Sequence, residues 1–500
     1  MKLSELISVL PFVTPPSRGE EIEVTSIESD SRKVKKGSLF ICIKGFQTNG
    51  HLYAKEAVTN GAAAIVAEEN INAQDVPVIY VSDTVRALAM LANHFYDYPT
   101  ERLNLIGITG TNGKTTVSYL LEAIFKEHGK KTGLIGTINH KLGEASIDTV
   151  NTTPDALVLQ DLFKEMKEME IEQAMMEVSS HALDLGRVYG CDFDTVVFTN
   201  LSQDHLDYHE NEANYFRAKS LLFSQLGNTY SNQKKFAVLN ADDIYAPTLK
   251  RMTAQPVITY GIMNDADVVA RKIKLFPNES RFQLKTPVGT VKITSRLTGK
   301  FNIYNMLAAI TAALVHHVPL KEIKHALEKA RPIPGRFEVI DIGQPFGVVV
   351  DYAHTPDAVG NILKTCRELT SGKLYCVLGC GGDRDQEKRP IMAKEATAHA
   401  DYAIFTSDNP RTEEPTKILK DMVEPFPEHV TNYEVVLDRE EAIQKAVRYA
   451  NPGDFIVIAG KGHETYQEIM GKKYQFDDRI VVKEAISHKE FKKCYLQSKN

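Results

Sequence analysis

The six cysteines of this 500-residue sequence, Cys42, Cys191, Cys366, Cys376, Cys380 and Cys494, contain no CxxC pair. That absence excludes a zinc ribbon and a thioredoxin-type redox motif and leaves reduced, structural thiols. Long apolar runs are missing too. The longest candidate, Met306 to Val315, falls far short of the roughly 18 residues of a membrane span, so no membrane insertion is expected. The opening MKLSELISVLPFV has one lysine and a broken apolar stretch without a small-residue cleavage site, which argues against a secretory signal and for a cytoplasmic setting. Positive charge is not in excess. The formal net charge is -6 and no basic run or aromatic-interleaved basic stripe occurs, so nucleic acid is not an expected partner. A guanine-type NKxD motif is also absent, against a switch GTPase.

What is present is an ordinary soluble composition, 43% hydrophobic and 25% charged. At about 100 to 200 residues per domain, the length suggests about three domains. The most informative stretch is Ile106 to Thr116, IGITGTNGKTT. An apolar strand (Leu103 to Ile108) leads into a loop holding Gly110 and Gly113. A helix follows, with Val117, Leu120, Leu121, Ile124 and Phe125 at helical spacing. Glycines let backbone N–H groups curl around a polyphosphate, the helix N-terminus adds partial positive charge, and Lys114 adds a full one. Thr115 can place a hydroxyl on Mg²⁺. The strict P-loop spacing is not met, because Gly107 stands one place early, so the match is to a variant loop.

Residues 1 to 98 read as a small α/β unit, with strands at Ser38 to Gly45 and Ala63 to Glu69 and a helix around Val85 to Phe95. Its polar loops, Ser29 to Arg32 and Gly45 to Gly50, could grip a polar ligand or be ordinary turns. From 99 to 331, strand and helix alternate as in an open parallel sheet. Strands at Thr132 to Ile138, Gln173 to Val178 and Thr195 to Asn200 each lead into a polar cluster: Asn151-Thr152-Thr153-Pro154, Glu177 to His181, and Asn200 to Asp207. Ligands of such sheets bind outside the strand carboxyl ends, so these clusters belong beside the phosphate loop. Glu177 closes a strand where an acidic Mg²⁺ ligand would be useful, or else it pairs locally. His205 and His209 are four apart, the spacing of half a zinc site, but no further ligand follows, and oxygen-rich surroundings suit Mg²⁺ better. Lys219 lies on a helix, where a solvated lysine is the alternative. Phe236 to Val288 reads as strand-rich. Gly299 to Asn305 then opens a long apolar helix with Asn302 and Asn305 three apart.

Arg331-Pro332-Ile333-Pro334-Gly335-Arg336 breaks the pattern and marks a domain boundary, with residues 332 to 500 forming a third unit. There, apolar strands again run into polar turns: GVVVDYAHTPD, LYCVLGCGGDRD, DYAIFTSDNPR and DFIVIAGKGHE. These turns supply Arg384, Arg411 and Glu464. Two guanidiniums and a carboxylate fit a small zwitterion, since guanidinium pairs with carboxylate and glutamate accepts from ammonium.

Taken together, GTNGKTT, NTTP, EVSSHAL, NLSQDHLDYH, FNIYN, PGRFE, DYAHTPD, GCGGDRD, DNPR and GKGHE run in family order along nearly the whole chain. The sequence resembles the Mur ligases, enzymes that add amino acids to the peptidoglycan precursor. The resemblance implies an α/β fold of three domains: a small N-terminal α/β domain, a central P-loop doubly wound, mostly parallel sheet, and a C-terminal Rossmann-like α/β domain. Within the family it is most similar to members that join a diamino acid to UDP-N-acetylmuramoyl-L-alanyl-D-glutamate. DNPR points to meso-diaminopimelate, whose distal carboxylate the arginine at position 411 is expected to bind. A lysine-adding member and a folate polyglutamating ligase are the alternatives.

Carried over by motif, the resemblance assigns ATP to Gly110, Thr111, Asn112, Gly113, Lys114, Thr115, Thr116, Asn302, Arg336 and Asp351. It assigns Mg²⁺ to Thr115, Glu177 and His205, and catalytic roles to Lys114, His205 and Lys219, the last matching a lysine that the family carboxylates. The UDP-precursor falls to Ser29, Ser31, Phe46, Gln47, Thr48, Asn151, Thr152, Thr153, Ser179 and Arg187. Diaminopimelate falls to Arg384, Asp408, Asn409, Pro410, Arg411, Gly460 and Glu464. The small-molecule substrates are the expected partners, and a monomer is the expected state. One departure is Leu185, where some relatives place a substrate-contacting glutamine.

Overall fold

Three larger sheets, one after another along the chain, and a two-stranded antiparallel hairpin, Tyr466–Ile469 with Lys472–Gln475, organise the computed structural model, which describes residues 1–13, 22–45, 48–73, 75–149, 151–227, 234–276 and 278–489. Phe46, Gln47 and Cys494 lie outside the described residues. The first sheet is parallel, in the order Ser26–Glu28, Ser38–Ile41, Ala62–Ala67, Val78–Tyr80. Asp83 caps the helix Thr84–Phe95 by accepting from Arg86 N, and the helix buries Ala87, Leu88 and Leu91 against Leu39, Ile41 and Val66. The strand expected to reach Gly45 stops at Ile41. Beyond Cys42 the backbone bonds go to a local turn, Gly50 N to Ile43 O and Gly45 N to Thr48 O, instead of to the sheet.

The central sheet has eleven strands. Its parallel middle places Asn104–Thr109 between Gln173–Glu177 on one side and Thr195–Phe198 on the other. From Asn104–Thr109 the chain crosses to Thr132–Ile135 beyond Gln173–Glu177, and later returns to the opposite flank. Strand order therefore reverses at the end of Asn104–Thr109, the point where open α/β sheets bind ligands. The helix Lys114–Glu127 packs Val117, Leu120, Leu121, Ile124 and Phe125 against Ile303, Met306, Leu307 and Ile310 of the helix Lys300–Val315. All of these side chains are at most 2% exposed, and at about 1.5 to 3 kcal/mol for each large apolar side chain this seam anchors the loop from behind.

The third sheet runs Glu338–Val339, Gly347–Asp351, Phe455–Ala459, Leu374–Leu378, Tyr402–Phe405, Tyr433–Val435, parallel throughout except for the first pair. Asp351 pairs with Ala459, Ala459 with Leu378, and Leu378 with Phe405. This register makes the strands end level, so DYAHTPD, GKGHE, GCGGDRD and DNPR project from one edge. Gly335 in the linker has φ 65°, and an added Cβ would lie 2.0 Å from His463 N, so only glycine lets the linker close on the GKGHE turn. Among the described residues no helix is long and apolar enough to cross a membrane, and the described cysteines are unpaired.

Candidate active site

The loop after Asn104–Thr109 needs glycine twice. Gly110 has φ 144° and a Cβ there would meet Thr199 Oγ1 at 1.9 Å; Gly113 has φ 90° and a Cβ would meet Asn305 Oδ1 at 2.3 Å. Gly107, the source of the irregular spacing, lies within the strand, where a Cβ would strike the Phe193 ring at 2.7 Å. It serves packing, and the working loop begins at Gly110. The neighbouring strand end clips the loop in place. Thr111 N donates to Asn200 O at 2.8 Å, Asn112 N to Asn200 Oδ1 at 3.0 Å, and Thr199 Oγ1 to Asn112 O at 2.7 Å. Thr199 and Asn200, at the head of NLSQDHLDYH, thus brace the phosphate loop.

Lys114 Nζ donates to Gly110 O at 2.8 Å and Thr111 O at 2.7 Å. Lys219, 1% exposed, donates to the same Gly110 carbonyl at 2.9 Å. Two ammonium groups on one oxygen repel each other. Burial, followed by the charge of Lys114, pushes the Lys219 amine well below its ordinary value, and burial lowers Lys114 too. The solvated-surface reading of Lys219 is thereby excluded.

Glu177 is fully buried. Its carboxylate accepts from Thr115 Oγ1 at 2.9 Å and from Thr137 N and Oγ1, each at 2.9 Å. The Thr115 hydroxyl and the Glu177 carboxylate at the head of the loop helix are hard oxygen donors of the type Mg²⁺ takes. Burial pushes the His205 imidazole down to about 3, so at neutral pH it is uncharged and keeps a ring lone pair; its Nε2 lies 3.3 Å from Asp204 Oδ2. His209 Nε2 instead meets Ser180 Oγ at 3.0 Å, so the two histidines serve different partners and form no zinc pair.

The third sheet reaches over this loop. Arg336 Nη2 donates to Thr115 Oγ1 at 3.1 Å, Asn112 Nδ2 to Asp357 Oδ2 at 3.3 Å, and Lys388 Nζ lies 3.4 Å from Asp204 Oδ1 in a nearly buried pair. The Asp351 carboxylate accepts from Phe337 N at 2.6 Å and Ala353 N at 2.7 Å. It therefore holds the backbone beside Arg336, with both oxygens already engaged.

Of the residues assigned to the precursor, Thr152, Thr153, Ser179 and Arg187 gather around the end of Gln173–Glu177. Thr152 Oγ1 meets Thr137 Oγ1 at 3.1 Å, Thr153 Oγ1 donates to Glu177 O at 2.8 Å, and Arg187 Nη1 donates to Thr153 O at 3.0 Å. Ser179 caps the helix Ser180–Asp184. Asn151 and Thr48 are exposed and Ser29 is half-buried, while Ser31 is buried and donates to Glu56 Oε2 at 3.0 Å.

On the third-sheet edge, Arg411 sits at φ 52°, with its Nη1 donating to Gly382 O at 2.7 Å and its Nε 3.8 Å from Glu468 Oε2. Arg384 is exposed, and both arginines border Gly381, where an added Cβ would lie 2.9 Å from Arg411 Nη1 and 3.9 Å from Arg384 Cγ. Gly382 must be glycine because a Cβ would lie 1.9 Å from Pro410 O. Gly460, at φ 113°, lies against Asp408, and Asn409 Nδ2 donates to Glu464 Oε2 at 2.7 Å. Sequence reasoning passed over Thr137, Asp357, Lys388 and Lys461. Asp357, Lys388 and Lys461 stand inside or just after quoted motifs, and their position in a polar turn at a buried strand end was the available signal.

The fold and the site define a three-domain α/β nucleotide-phosphate-binding protein, with a second polar site facing its loop. Family descriptions match in the same order: "Mur ligase family, catalytic domain" over 23–96, "Mur ligase middle domain" over 108–313, and "Mur ligase, glutamate ligase domain" over 335–462. The UDP-N-acetylmuramoyl-L-alanyl-D-glutamate--2,6-diaminopimelate ligase of Oceanobacillus iheyensis is 54% identical over 491 residues, 98% of this chain and 100% of that one. Its Bacillus cereus counterpart is 54% identical over 489 residues, 97% of this chain and 99% of that one. A solved structure of a ligase of the same name is 33% identical with TM-score 0.69, covering 97% of this chain and 99% of that one. The chain belongs to the Mur ligase family.

Proposed function

We propose that this chain is the ATP-dependent ligase that joins meso-2,6-diaminopimelate to the D-glutamyl γ-carboxylate of UDP-N-acetylmuramoyl-L-alanyl-D-glutamate, releasing ADP and phosphate. The observation that carries the reading is the meeting of two sites: Lys388 and Asp357 of the third domain touch Asp204 and Asn112 of the central one. A phosphate loop alone binds nucleotide. A loop opposed by a zwitterion-binding edge can activate one substrate and present another.

In the first step the γ-carboxylate attacks the terminal phosphorus of ATP, forming an acyl phosphate and expelling ADP. Lys114, the loop N–H groups and the helix N-terminus neutralise the charge that gathers on the transferring phosphoryl oxygens. Thr115, Glu177 and His205 would hold Mg²⁺, which when bound neutralises phosphate charge. Arg336, already at the loop through Thr115, adds a guanidinium from the third domain. In the second step the neutral amine attacks the acyl carbon and phosphate leaves. In this reading the contacts that Arg336, Asp357 and Lys388 make with the central domain keep the amine pocket over the activated carboxyl. The protein works in this reading as a cytoplasmic monomer.

Lys219 enters as a carbamate. Burial and the charge of Lys114 lower the Lys219 amine and favour its neutral, nucleophilic form; that amine adds to CO₂ and loses a proton, replacing a second cation beside Lys114 with an anion. Lys219→Ala is expected to lower turnover at least about 100-fold, the scale of losing one electrostatic group at a reacting phosphate. Wild type equilibrated with ¹³C-bicarbonate should give a carbamate carbon resonance that the variant lacks; equal spectra from the two would remove this part of the reading.

Phosphate release measured with the UDP-dipeptide and each amino acid in turn tests the whole. Release is expected only when ATP, the dipeptide and diaminopimelate are all present, with L-lysine a poor replacement. Release that ignores the dipeptide, or equal use of the two amino acids, would overturn the proposal.

A further inference from the structure

Lys461 is the buried cation of the GKGHE turn, with no side-chain exposure. Its Nζ donates to Asn409 Oδ1 at 3.0 Å and to Glu464 Oε2 at 3.0 Å. One ammonium thus bridges the DNPR and GKGHE turns, which are 52 residues apart in sequence. Asn409 joins the same network: Oδ1 accepts from Lys461 and from Glu468 N at 2.9 Å, and Nδ2 donates to Glu464 Oε2 at 2.7 Å. Two donors therefore converge on Glu464 Oε2. The other oxygen, Oε1, accepts from none of the described residues.

The geometry points to Lys461 as the positioning residue that holds Glu464 ionised and turned, with Oε1 free to accept from the ammonium of the incoming diamino acid. This deepens the proposed function and rests on its placing the amino acid at these turns. The physical need is plain. A half-buried carboxylate beside a second one, Asp408, loses solvation and meets like charge, and both favour its neutral form. A neutral carboxyl would receive an ammonium poorly. Burial and then Asp408 do push Glu464 above the ordinary carboxylate value, while Lys461 and Asn409 pull it back. The groups that face Glu464 are Asp408 from the DNPR turn, Lys461 from its own turn, the Tyr352 hydroxyl from DYAHTPD, and Arg439 from the helix Arg439–Tyr449. Arg439 is already paired through Nε and Nη2 with Asp478 at 2.8 and 2.7 Å, which leaves Lys461 as the cation in contact with Glu464.

The sign follows. Removing Lys461 moves the Glu464 carboxyl further up, and a group that must be ionised to bind ligand then binds only at higher pH. Lys461→Met is expected to raise KM for diaminopimelate at least about tenfold at pH 7, and to move the rising limb of kcat/KM for that substrate to higher pH. KM for ATP and for the UDP-dipeptide should stay within about twofold, which a general loss of structure would not allow. Lys461→Arg keeps the charge and should leave the limb where wild type has it. In a Glu464→Gln background, adding Lys461→Met should cost less than about threefold more, because the carboxylate it serves is gone. A KM increase of the same factor at every pH from about 6 to 9, or an undiminished loss in the Glu464→Gln background, would overturn the role. If wild type itself showed no saturable dependence on diaminopimelate, the placement of the amino-acid site would fail instead. Normal saturation with an indistinguishable Lys461→Met enzyme would sink only the inference about Lys461.

Discussion

Lys114→Ala is expected to lower turnover by about three orders of magnitude or more, with the fold retained. Removing a preorganised charge from a site where negative charge develops costs about 100- to 1,000-fold for a single neutral donor, and Lys114 is a full cation. The structural cost is small because the side chain contributes only two hydrogen bonds, to Gly110 O and Thr111 O. The loop itself remains clipped by Asn200 and Thr199 through their bonds to Thr111 and Asn112. Phosphate release under saturating substrates measures the loss, and an unchanged thermal unfolding midpoint separates it from misfolding. Turnover within tenfold of wild type would remove the phosphate loop from the chemistry.

Arg411→Ala should abolish the preference for diaminopimelate over lysine. Breaking a buried ion pair costs about 3 to 5 kcal/mol, but the Arg411 side chain is 21% exposed and water screens part of that. About 2 to 3 kcal/mol remains, equal to about a 30- to 150-fold loss in kcat/KM for diaminopimelate at 1.4 kcal/mol per decade. L-Lysine has no distal carboxylate, so its kcat/KM should change little. Parallel kinetics with the two amino acids decide the matter: equal losses for both would mean that Arg411 shapes the turn and does not read the ligand. That alternative has a physical basis to test against, since Arg411 also occupies a left-handed backbone position and its N–H and C=O pair with Glu468 and Met470 of the adjacent hairpin. Arg411→Lys keeps a cation and the backbone but loses the fork, and should recover only part of the selectivity.

The local pieces of this protein were legible without coordinates. The apolar spacing after Lys114 named the buried face of the loop helix, Val117 through Phe125, because helical period and burial are set by neighbours a few residues away. Glycine positions were equally plain, although Gly107 misled. A glycine needed for close packing of Phe193 against a strand is indistinguishable in sequence from one needed for a turn. The strand ends and their polar clusters could also be read, since alternation into a turn is a local pattern. So could the ordered motifs that mark the family.

What remained hidden depends on which strand lies beside which. Only the family resemblance singled out Lys219, which by its own neighbours reads as a solvated surface lysine; the fold brings its helix to Gly110, 109 residues earlier. Lys388 meets Asp204 across 184 residues, and Lys461 meets Asn409 across 52. In each case a charge is buried only because elements far apart in the chain close on one another, so its partner and its role follow from how sheets and helices pack. A chain's spacing encodes its turns and helix faces, whereas the pairing of buried charges is decided when layers close and water leaves, a step that no local pattern records.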